Sequence, residues 1–177
     1  MSLLTRDFFE RDALSVARDL IGCYLVRKIG GKREARMIVE TEAYIGPEDL
    51  ASHASKGLTP RTAVMFGPGG VWYVYFIYGM HEMLNIVTGP EGFPSAVLIR
   101  GIEGAIGPGR LTKALGITRE LNKLPAARKT GLWIEAGEKI PDKLVKRTPR
   151  IGVAYAGAEW AGKPYRFVLK NRTGLSR

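Results

Sequence analysis

The run Val71–Tyr78 constrains the fold of this chain more than any other stretch, because all of its residues are aromatic or β-branched. Such side chains favour strands, and Gly70 and Gly79 bound the run on both sides. A second apolar run, Leu84–Thr88, follows as a return strand. The pattern predicts a β-hairpin, with Tyr78 beside the glycine at its tip.

The first part of the chain predicts one helix and a second hairpin. Residues 5–21 carry apolar side chains at helical spacing, and Gly22 follows as a natural helix end. Two strands, Cys23–Ile29 and Glu34–Tyr44, are joined by a Gly-Gly turn. Residues 45–70 exceed the usual loop length, which predicts a functional segment or one that contains short helical turns.

The remaining segments complete the predicted architecture. Further elements are a short helix at Pro108–Gly116, which Arg119–Lys123 can extend, and strands at Ala96–Arg100, Trp133–Glu135, Arg150–Ala156 and Arg166–Lys170. The regular alternation of strand and helix that builds a doubly wound sheet is absent. We therefore predict an α+β fold, with residues 1–177 as a single domain. Its sheet is expected to be curved and mixed but mostly antiparallel, with flanking helices and a protruding β-hairpin.

The charge of the chain indicates its kind of partner. The net charge of +10 predicts a polyanionic binding partner, and nucleic acid is the commonest partner of this kind. A merely basic soluble protein is the alternative. Acidic residues concentrate in 34–48 and basic residues in 110–150, which is more typical of an enzyme acting on a polyanion. The sequence shows no signal peptide, so an intracellular location is expected. It has no apolar run long enough to span a membrane, so no membrane contact is expected. Cys23 is the single cysteine, which excludes an internal disulfide framework.

The stretch Met37–His53 gathers the chemistry. Because strand side chains alternate, Glu40, Glu42 and Tyr44 are expected on one face. Carboxylates beside an aromatic ring suit a site that stacks a ring and moves a proton. An edge strand with a solvated acidic face is the alternative, and the stretch alone leaves both open.

Two other positions are candidates for nucleic-acid contacts. Tyr78 precedes a glycine at the end of a strand. Its ring can insert between base steps, or it can be a core or cross-strand aromatic of the sheet. For Tyr73 we favour the core or cross-strand role. The Gly-Pro-Gly entrance to the helix at 108–116, with Arg110 and Lys113, can receive a phosphate.

Common cofactor and metal motifs are missing from the sequence. The two histidines, His53 and His81, are too few and too poorly spaced from carboxylates for a metal site. Gly67-Pro-Gly-Gly70 lacks the Lys-Ser/Thr of a phosphate loop, and no serine-hydrolase elbow occurs. We expect neither a metal nor a cofactor.

A series of uncommon motifs runs from about Leu20 to Phe167. The motifs are Ile38-Val-Glu-Thr-Glu-Ala-Tyr-Ile-Gly-Pro-Glu-Asp49 with Ala51 and His53, Thr59-Pro-Arg61, Met65-Phe66, Tyr73-Val-Tyr-Phe-Ile-Tyr-Gly-Met80, Asn85-Ile86, Leu98-Ile-Arg100, Gly107-Pro-Gly-Arg-Leu111, Arg150-Ile-Gly-Val153 and Glu159-Trp-Ala-Gly-Lys-Pro164. In this order they resemble the alkyladenine (3-methyladenine) DNA glycosylase family, mammalian type. The hairpin and catalytic Asp of helix-hairpin-helix glycosylases are not found. His81 and Glu82 depart from the family pattern, which affects the expected substrate range and affinity.

The resemblance implies a role for each site residue. Glu42 is implied as the general base that activates water for attack on the deoxyribose anomeric carbon. Tyr44, His53 and Tyr75 are implied to sandwich an extruded base, and the Ala51 carbonyl to face its purine edge. These residues together form the implied base pocket and catalytic centre.

Three further residues complete the implied site. Tyr78 is implied to enter the duplex where the base was, and Asn85 to disfavour guanine by crowding its exocyclic amine. Arg100 is implied to contact a phosphate or the water near Glu42.

The function implied is release of damaged purines from double-stranded DNA by a monomeric enzyme. The substrates implied are 3-methyladenine and 7-methylguanine, with hypoxanthine and ethenoadenine as further candidates. Because no lysine stands at the catalytic position, a monofunctional glycosylase without strand cleavage is expected. The rivals are a non-catalytic nucleic-acid-binding protein and an RNA-modifying or formyl-transferring enzyme, although the latter lacks a visible cofactor loop.

Overall fold

The computed structural model describes residues 1–170, which form four short helices and nine strands. The helices are α1 (Arg6–Phe9), α2 (Ala13–Asp19), α3 (Pro108–Ala114) and α4 (Gly157–Gly162). The strands are β1 (Tyr24–Ile29), β2 (Lys32–Ile45), β3 (Trp72–Ile77), β4 (His81–Val87), β5 (Ser95–Ile102), β6 (Ala105–Ile106), β7 (Leu132–Glu135), β8 (Val145–Thr148) and β9 (Arg166–Leu169). Strands thus dominate the described part of the chain.

The long strand β2 organises the sheet. Its first half pairs with β1, and its second half pairs with β5 on one side and β9 on the other. The register shifts on both sides of Glu40, and such irregularities bend a strand. The main strand order is β3-β4-β5-β2-β1-β7, and all pairings within residues 1–170 are antiparallel. The predicted α+β fold with a curved antiparallel sheet and a protruding hairpin (β3–β4) is confirmed.

The N-terminal helix differs from the prediction, because residues 5–21 form two helices. The chain leaves α1 after Phe9, and Asp12 starts α2 by accepting a hydrogen bond from the Ser15 amide at 2.9 Å. A side chain that caps a new helix start satisfies an amide that has no intrahelical partner. Val16, Ala17 and the following Leu20 then pack into the core against the sheet.

The strand predicted at Arg150–Ala156 is wrong. Gly152 and Gly157 have φ angles of 77° and 80°, which are incompatible with an extended strand. The Arg150 side chain is buried, and Ala154–Ala156 forms a short 3₁₀ turn. The strand in this part of the chain is instead β8, which pairs with β9.

The long segment 45–70 contains two 3₁₀ turns, His53–Lys56 and Ala63–Phe66, as the sequence predicted. Within residues 1–170, no helix is long and apolar enough to cross a bilayer. The assignment of 1–177 to one domain stays a prediction, and its last seven positions lie outside the described residues.

Candidate active site

The Glu42 carboxylate lies in the centre of the sheet, fully buried on β2. One carboxylate oxygen accepts a hydrogen bond from the Ile151 amide and the other from the Tyr44 hydroxyl, both at 2.8 Å. Arg100 brings its Nε to 3.5 Å from the carboxylate. The alternative of a solvated edge strand is therefore wrong, because β2 has neighbours on both sides at this position.

Burial has the largest effect on the pKa values of Glu42 and Tyr44. Removal from water raises the pKa of the Glu42 carboxyl, although Arg100 and the two hydrogen-bond donors oppose the shift. Burial and the adjacent carboxylate raise the pKa of the Tyr44 hydroxyl well above its ordinary value. Tyr44 therefore stays protonated and donates to Glu42, which keeps the carboxylate close to the tyrosine ring.

A second carboxylate, Glu40, lies beside the first. Arg100 Nε is 3.0 Å and Arg166 Nη1 is 2.9 Å from the same Glu40 oxygen. Glu40 and Glu42 thus share Arg100 as a partner. The two carboxylates lie on the same side of β2, as the alternation of strand side chains predicted. Two guanidinium groups beside two buried carboxylates reduce the repulsion between the acids.

An aromatic pocket of about 40 Å³ opens next to Tyr44. Its lining consists of Tyr44, Ala51, Ser52, His53, Met65, Tyr73, Tyr75, Asn85, Ala96 and Tyr155. The rings of His53 and Tyr75 meet edge to face, with centroids 4.7 Å apart, and Tyr73 lies 5.0 Å from Tyr75. All five residues that the sequence assigned to the base pocket line this one cavity.

His53 is held neutral inside the pocket. Its Nδ1 lies 2.9 Å from the Tyr73 hydroxyl, and burial together with Arg61 and Lys56 lowers its pKa to about 4. A guanidinium at Arg61 also lies 4.9 Å from the centre of the Tyr75 ring. At neutral pH the imidazole is therefore an uncharged hydrogen-bonding group, and the positive charge stays outside at the arginine.

The polar groups at the pocket floor already have partners. Asn85 donates its side-chain amide to the carbonyls of Tyr73 and Met83, at 3.1 and 3.3 Å. The Ala51 carbonyl accepts a hydrogen bond of 2.8 Å from the Tyr155 hydroxyl. Asn85 is thus fixed by the backbone of its own hairpin, whereas Ala51 is held by a residue from a distant part of the chain.

Tyr78 occupies the tip of the β3–β4 hairpin, where 85% of its surface is exposed. It has a positive φ of 51°, and Gly79 follows with 66°. The Met80 amide donates to the Ile77 carbonyl at 3.1 Å and closes the turn. A bulky residue with positive φ is disfavoured, so the turn holds this ring outward at a conformational cost.

The predicted phosphate contacts lie beside this hairpin. Arg110 is exposed on α3 and lines a surface groove together with Tyr78 and Arg100. Lys113 is exposed on the same helix but does not line the groove. The groove therefore connects the hairpin tip with the arginine beside Glu42.

Four residues at the site received no site role from the sequence. Tyr73 is buried as expected of a core aromatic, but its hydroxyl also contacts His53 in the pocket. Tyr155 lies in the segment predicted as a strand. Arg150 and Asp49 form a buried pair, with Nη2 to Oδ1 at 2.8 Å, and the guanidinium stacks 4.8 Å from the Tyr44 ring centre. Asp49, Tyr73 and Arg150 lie in the motifs that carry the family resemblance, whereas none of those motifs includes Tyr155.

Metal binding has no visible support in the described part of the chain. Within residues 1–170, no group of three or more His, Cys, Asp or Glu side chains is placed to hold a metal ion. The Glu42 carboxylate at the site is instead paired with the Tyr44 hydroxyl and with Arg100.

Comparison with known proteins identifies the family. The family model described as methylpurine-DNA glycosylase matches residues 7–106 and 103–173. A protein of Myxococcus xanthus is 49% identical over all of this chain and 95% of its own length. Relatives from Methanocella arvoryzae and Legionella pneumophila (strain Corby) are 47% and 45% identical over the whole chain and over 97% and 100% of their own lengths.

All three relatives carry the name "putative 3-methyladenine DNA glycosylase". They are bacterial and archaeal proteins, and each is matched over nearly its entire length. The enzyme class predicted from the sequence, a monofunctional DNA N-glycosylase, is confirmed by this match. The chain belongs to the methylpurine-DNA glycosylase family.

Proposed function

We propose that this enzyme extrudes damaged purines from duplex DNA into the aromatic pocket and hydrolyses their N-glycosidic bond. The proposed substrates are 3-methyladenine and 7-methylguanine, with hypoxanthine and ethenoadenine as further lesions. The observation that carries the proposal is the hydrogen bond between Tyr44, which lines the pocket, and Glu42 behind it. This hydrogen bond connects the Tyr44 ring, which can stack on a base, with the Glu42 carboxylate, which can accept a proton.

The proposed roles follow from the chemistry of the bond. Loss of a purine from deoxyribose develops positive charge on the sugar, which a buried carboxylate stabilises strongly. Glu42 accepts a proton from water as the water oxygen bonds to the anomeric carbon. The base departs with the electrons of the glycosidic bond. A cationic alkylated purine becomes neutral by accepting these electrons, whereas a neutral purine requires protonation or hydrogen bonding.

The pocket accounts for recognition in the proposal. Stacking on an aromatic side chain is worth about 1–3 kcal/mol per base, which is similar to the cost of extruding a damaged base. Tyr44, His53 and Tyr75 provide the rings, the Ala51 carbonyl faces the purine edge, and Asn85 crowds the amine of guanine. Tyr78 fills the gap left in the duplex.

The DNA backbone is proposed to follow the groove beside the hairpin. Arg100 contacts a phosphate or the catalytic water, and Arg110 and Lys113 contact phosphates on the same side. The active enzyme is proposed to be a monomer. The proposed enzyme is of the mammalian type of this family rather than a helix-hairpin-helix glycosylase.

The decisive experiment replaces the proposed base. End-labelled duplexes with a single hypoxanthine or ethenoadenine, and an undamaged control, are incubated with enzyme and cleaved with alkali at abasic sites. After treatment with the wild-type enzyme, alkali should cleave only the damaged strand. Glu42→Gln should abolish base release while lesion binding survives, because the amide keeps the shape of the side chain but cannot accept the proton. Glu103→Gln, at an exposed glutamate, is the matched control.

Two outcomes would contradict the proposal. Near wild-type turnover by Glu42→Gln would exclude Glu42 as the general base. Lesion binding by the wild type without any base release would favour the non-catalytic rival.

A further inference from the structure

The Arg100 guanidinium lies between two buried carboxylates of β2 and is held by Glu40 rather than by Glu42. Its Nε donates a hydrogen bond to Glu40 at 3.0 Å, whereas the same nitrogen is 3.5 Å from a Glu42 oxygen. The Nε of an arginine carries a single hydrogen. Because that hydrogen is directed to Glu40, the Nε of Arg100 faces Glu42 as a nearby charge and not as a hydrogen-bond donor.

The hydrogen-bond donors to Glu42 are uncharged. They are the Tyr44 hydroxyl and the Ile151 amide, each at 2.8 Å. A hydrogen bond from a cation is about twice as strong as one from a neutral donor, and it stabilises the charged form of a carboxylate more. Neutral donors therefore hold Glu42 in place and leave it a stronger base than a direct ion pair would.

The strands around Glu40 are shaped to bring its carboxylate to Arg100. The pairing of β2 with β5 changes register on both sides of Glu40, and such bulges redirect side chains next to active sites. Glu40 lies opposite Gly101, where an added β-carbon would be 3.2 Å from the Glu40 Cβ. The bulge and the glycine thus leave room for Glu40 directly beside Arg100.

A second arginine fixes the Glu40 carboxylate. Arg166 donates from Nη1 to the same Glu40 oxygen at 2.9 Å, and its Nε donates to the Pro149 carbonyl at 3.1 Å. Glu40 is only 3% exposed, and separating a buried charge from its partners is costly. Glu40 is therefore a fixed anchor, and the Arg100 side chain that it holds lines the groove beside Tyr78.

We propose that Glu40 is a positioning residue, which keeps Arg100 from pairing directly with Glu42 and leaves its other N–H groups to a DNA phosphate or the attacking water. The inference rests on the proposed function, since it takes Glu42 as the general base. The two carboxylates on this face of β2 then have separate roles. Glu42 accepts the proton, and Glu40 holds the cation.

The pH dependence of base release reports on this arrangement. The charged and titratable side chains that interact with Glu42 are Tyr44, Tyr75, Arg100, Arg150, Tyr155 and Arg166. Burial raises the pKa of Glu42, and Arg100 opposes this shift more than any other group. If Glu40 no longer holds Arg100, the guanidinium turns to Glu42 and the pKa of Glu42 falls. The acidic limb of the rate then moves to lower pH, and the weaker base lowers the plateau.

Two substitutions of Glu40 test the proposal through single-turnover rates across pH, on a hypoxanthine duplex at saturating enzyme. Glu40→Gln removes the charge that holds Arg100, whereas Glu40→Asp keeps the charge and withdraws it by one methylene. In both variants the acidic limb should move to lower pH by about one unit, and the plateau rate should fall about three- to tenfold. A charge effect without positioning would shift the limb in the glutamine variant alone.

A double variant determines whether Glu40 acts through Arg100. Glu40→Gln combined with Arg100→Gln should have the plateau rate of Arg100→Gln alone, because no guanidinium remains to be held. Glu135→Gln is the matched control, since Glu135 is also a buried strand glutamate and lies 2.7 Å from Arg33. Its strand β7 is at the far end of the main strand order, so its pH profile should equal that of the wild type.

The outcomes separate this inference from the proposed function. A limb that stays in place in Glu40→Asp, or a further loss of plateau rate in the double variant, would overturn the positioning role while the wild type remains active. Thermal melting shows which variants are folded, and Glu40→Asp, which retains the carboxylate, decides the question if Glu40→Gln does not fold. A wild-type enzyme that releases no damaged base would overturn the proposed function and this inference with it.

Discussion

At the residue scale, the centre of the site is a carboxylate whose two oxygens both have hydrogen-bond donors. The Tyr44 hydroxyl and the Ile151 amide stabilise the charged form of Glu42, while burial opposes it. Burial prevails and the pKa of Glu42 is raised. A general base works only when it is deprotonated, so the rate of base release should fall as pH drops through the raised pKa.

This balance gives a pH prediction for Tyr44→Phe. Without the hydroxyl, the charged form of Glu42 loses a donor, so its pKa rises further. The acidic limb of the single-turnover rate should move to higher pH by about one unit, since a hydrogen bond to a charged group is worth about 1.5–3 kcal/mol and water replaces part of it. Rates at saturating enzyme on a hypoxanthine duplex, measured across pH, provide the test.

Tyr24→Phe is the control for the pH experiment, and its limb should coincide with that of the wild type. A limb in Tyr44→Phe that stays in place or moves to lower pH would show that Glu42 is not the group whose titration controls the rate. The sign of the shift matters here, because phenylalanine keeps the aromatic ring, and any change in stacking alters the height of the profile and not its midpoint.

At the element scale, the hairpin β3–β4 presents an exposed ring at its tip, and the backbone conformation there lowers the stability of the turn. The tip residue Tyr78 has a positive φ, which asparagine adopts more readily than tyrosine. Since the ring is almost fully exposed, its removal costs little packing. The sequence predicts the ring at the hairpin tip, whereas its disfavoured conformation is visible only in the backbone geometry of the structure.

Tyr78→Asn should therefore separate stability from function. We expect the free energy of unfolding to rise by about 0.5–1 kcal/mol, because the backbone strain is relieved. Affinity for a lesion-containing duplex should fall, because no ring remains to fill the gap in the base stack. Urea denaturation and fluorescence anisotropy measure the two effects.

Tyr78→Phe keeps both the ring and the strain, so it should resemble the wild type in both measurements. A less stable Tyr78→Asn would contradict the strain argument. Unchanged lesion affinity in the asparagine variant would contradict the insertion of Tyr78 into the duplex.

The segment at Arg150 shows why one element was mispredicted. Its apolar residues resemble a strand, but the Arg150 guanidinium is buried against Asp49 and the Tyr44 ring. A buried guanidinium requires several acceptors, and here the Asp49 carboxylate and the Ala43 carbonyl supply them. These partners lie about a hundred positions earlier in the chain, so local pattern cannot reveal them.

At the scale of the whole molecule, the net charge of +10 predicts salt-sensitive DNA binding. If about 4–6 phosphates are neutralised, the slope of log affinity against log salt should be about −4 to −5. Arg110→Gln and Lys113→Gln should each reduce the slope by about 1, because each removes one proposed phosphate contact. Affinities at a series of salt concentrations, measured on one lesion duplex, give the slopes.

Lys32→Gln, on the β1–β2 hairpin, is the matched control and should retain the wild-type slope. An unchanged slope in both Arg110→Gln and Lys113→Gln would remove these residues from the DNA interface. A slope near zero for the wild type would contradict a binding mode dominated by phosphates.

The sequence by itself determined the strand-rich fold class, the hairpin with its exposed tyrosine and the five residues that we propose for the base pocket. These properties follow from local pattern and from motifs that the chain carries in order. The tertiary structure alone decided how those residues meet. The antiparallel register places Glu42, Leu98, Asn85 and Tyr73 in one row across four strands.

The contacts of Tyr155 and Arg150 were also decided only by the tertiary structure. Both residues act on groups about a hundred positions away, Ala51 and Asp49. A hydrogen bond depends on distance and direction in space, and neither is encoded in local periodicity. The hydrogen bond from Tyr155 to Ala51 and the ion pair beside the Tyr44 ring are therefore visible only in the folded chain.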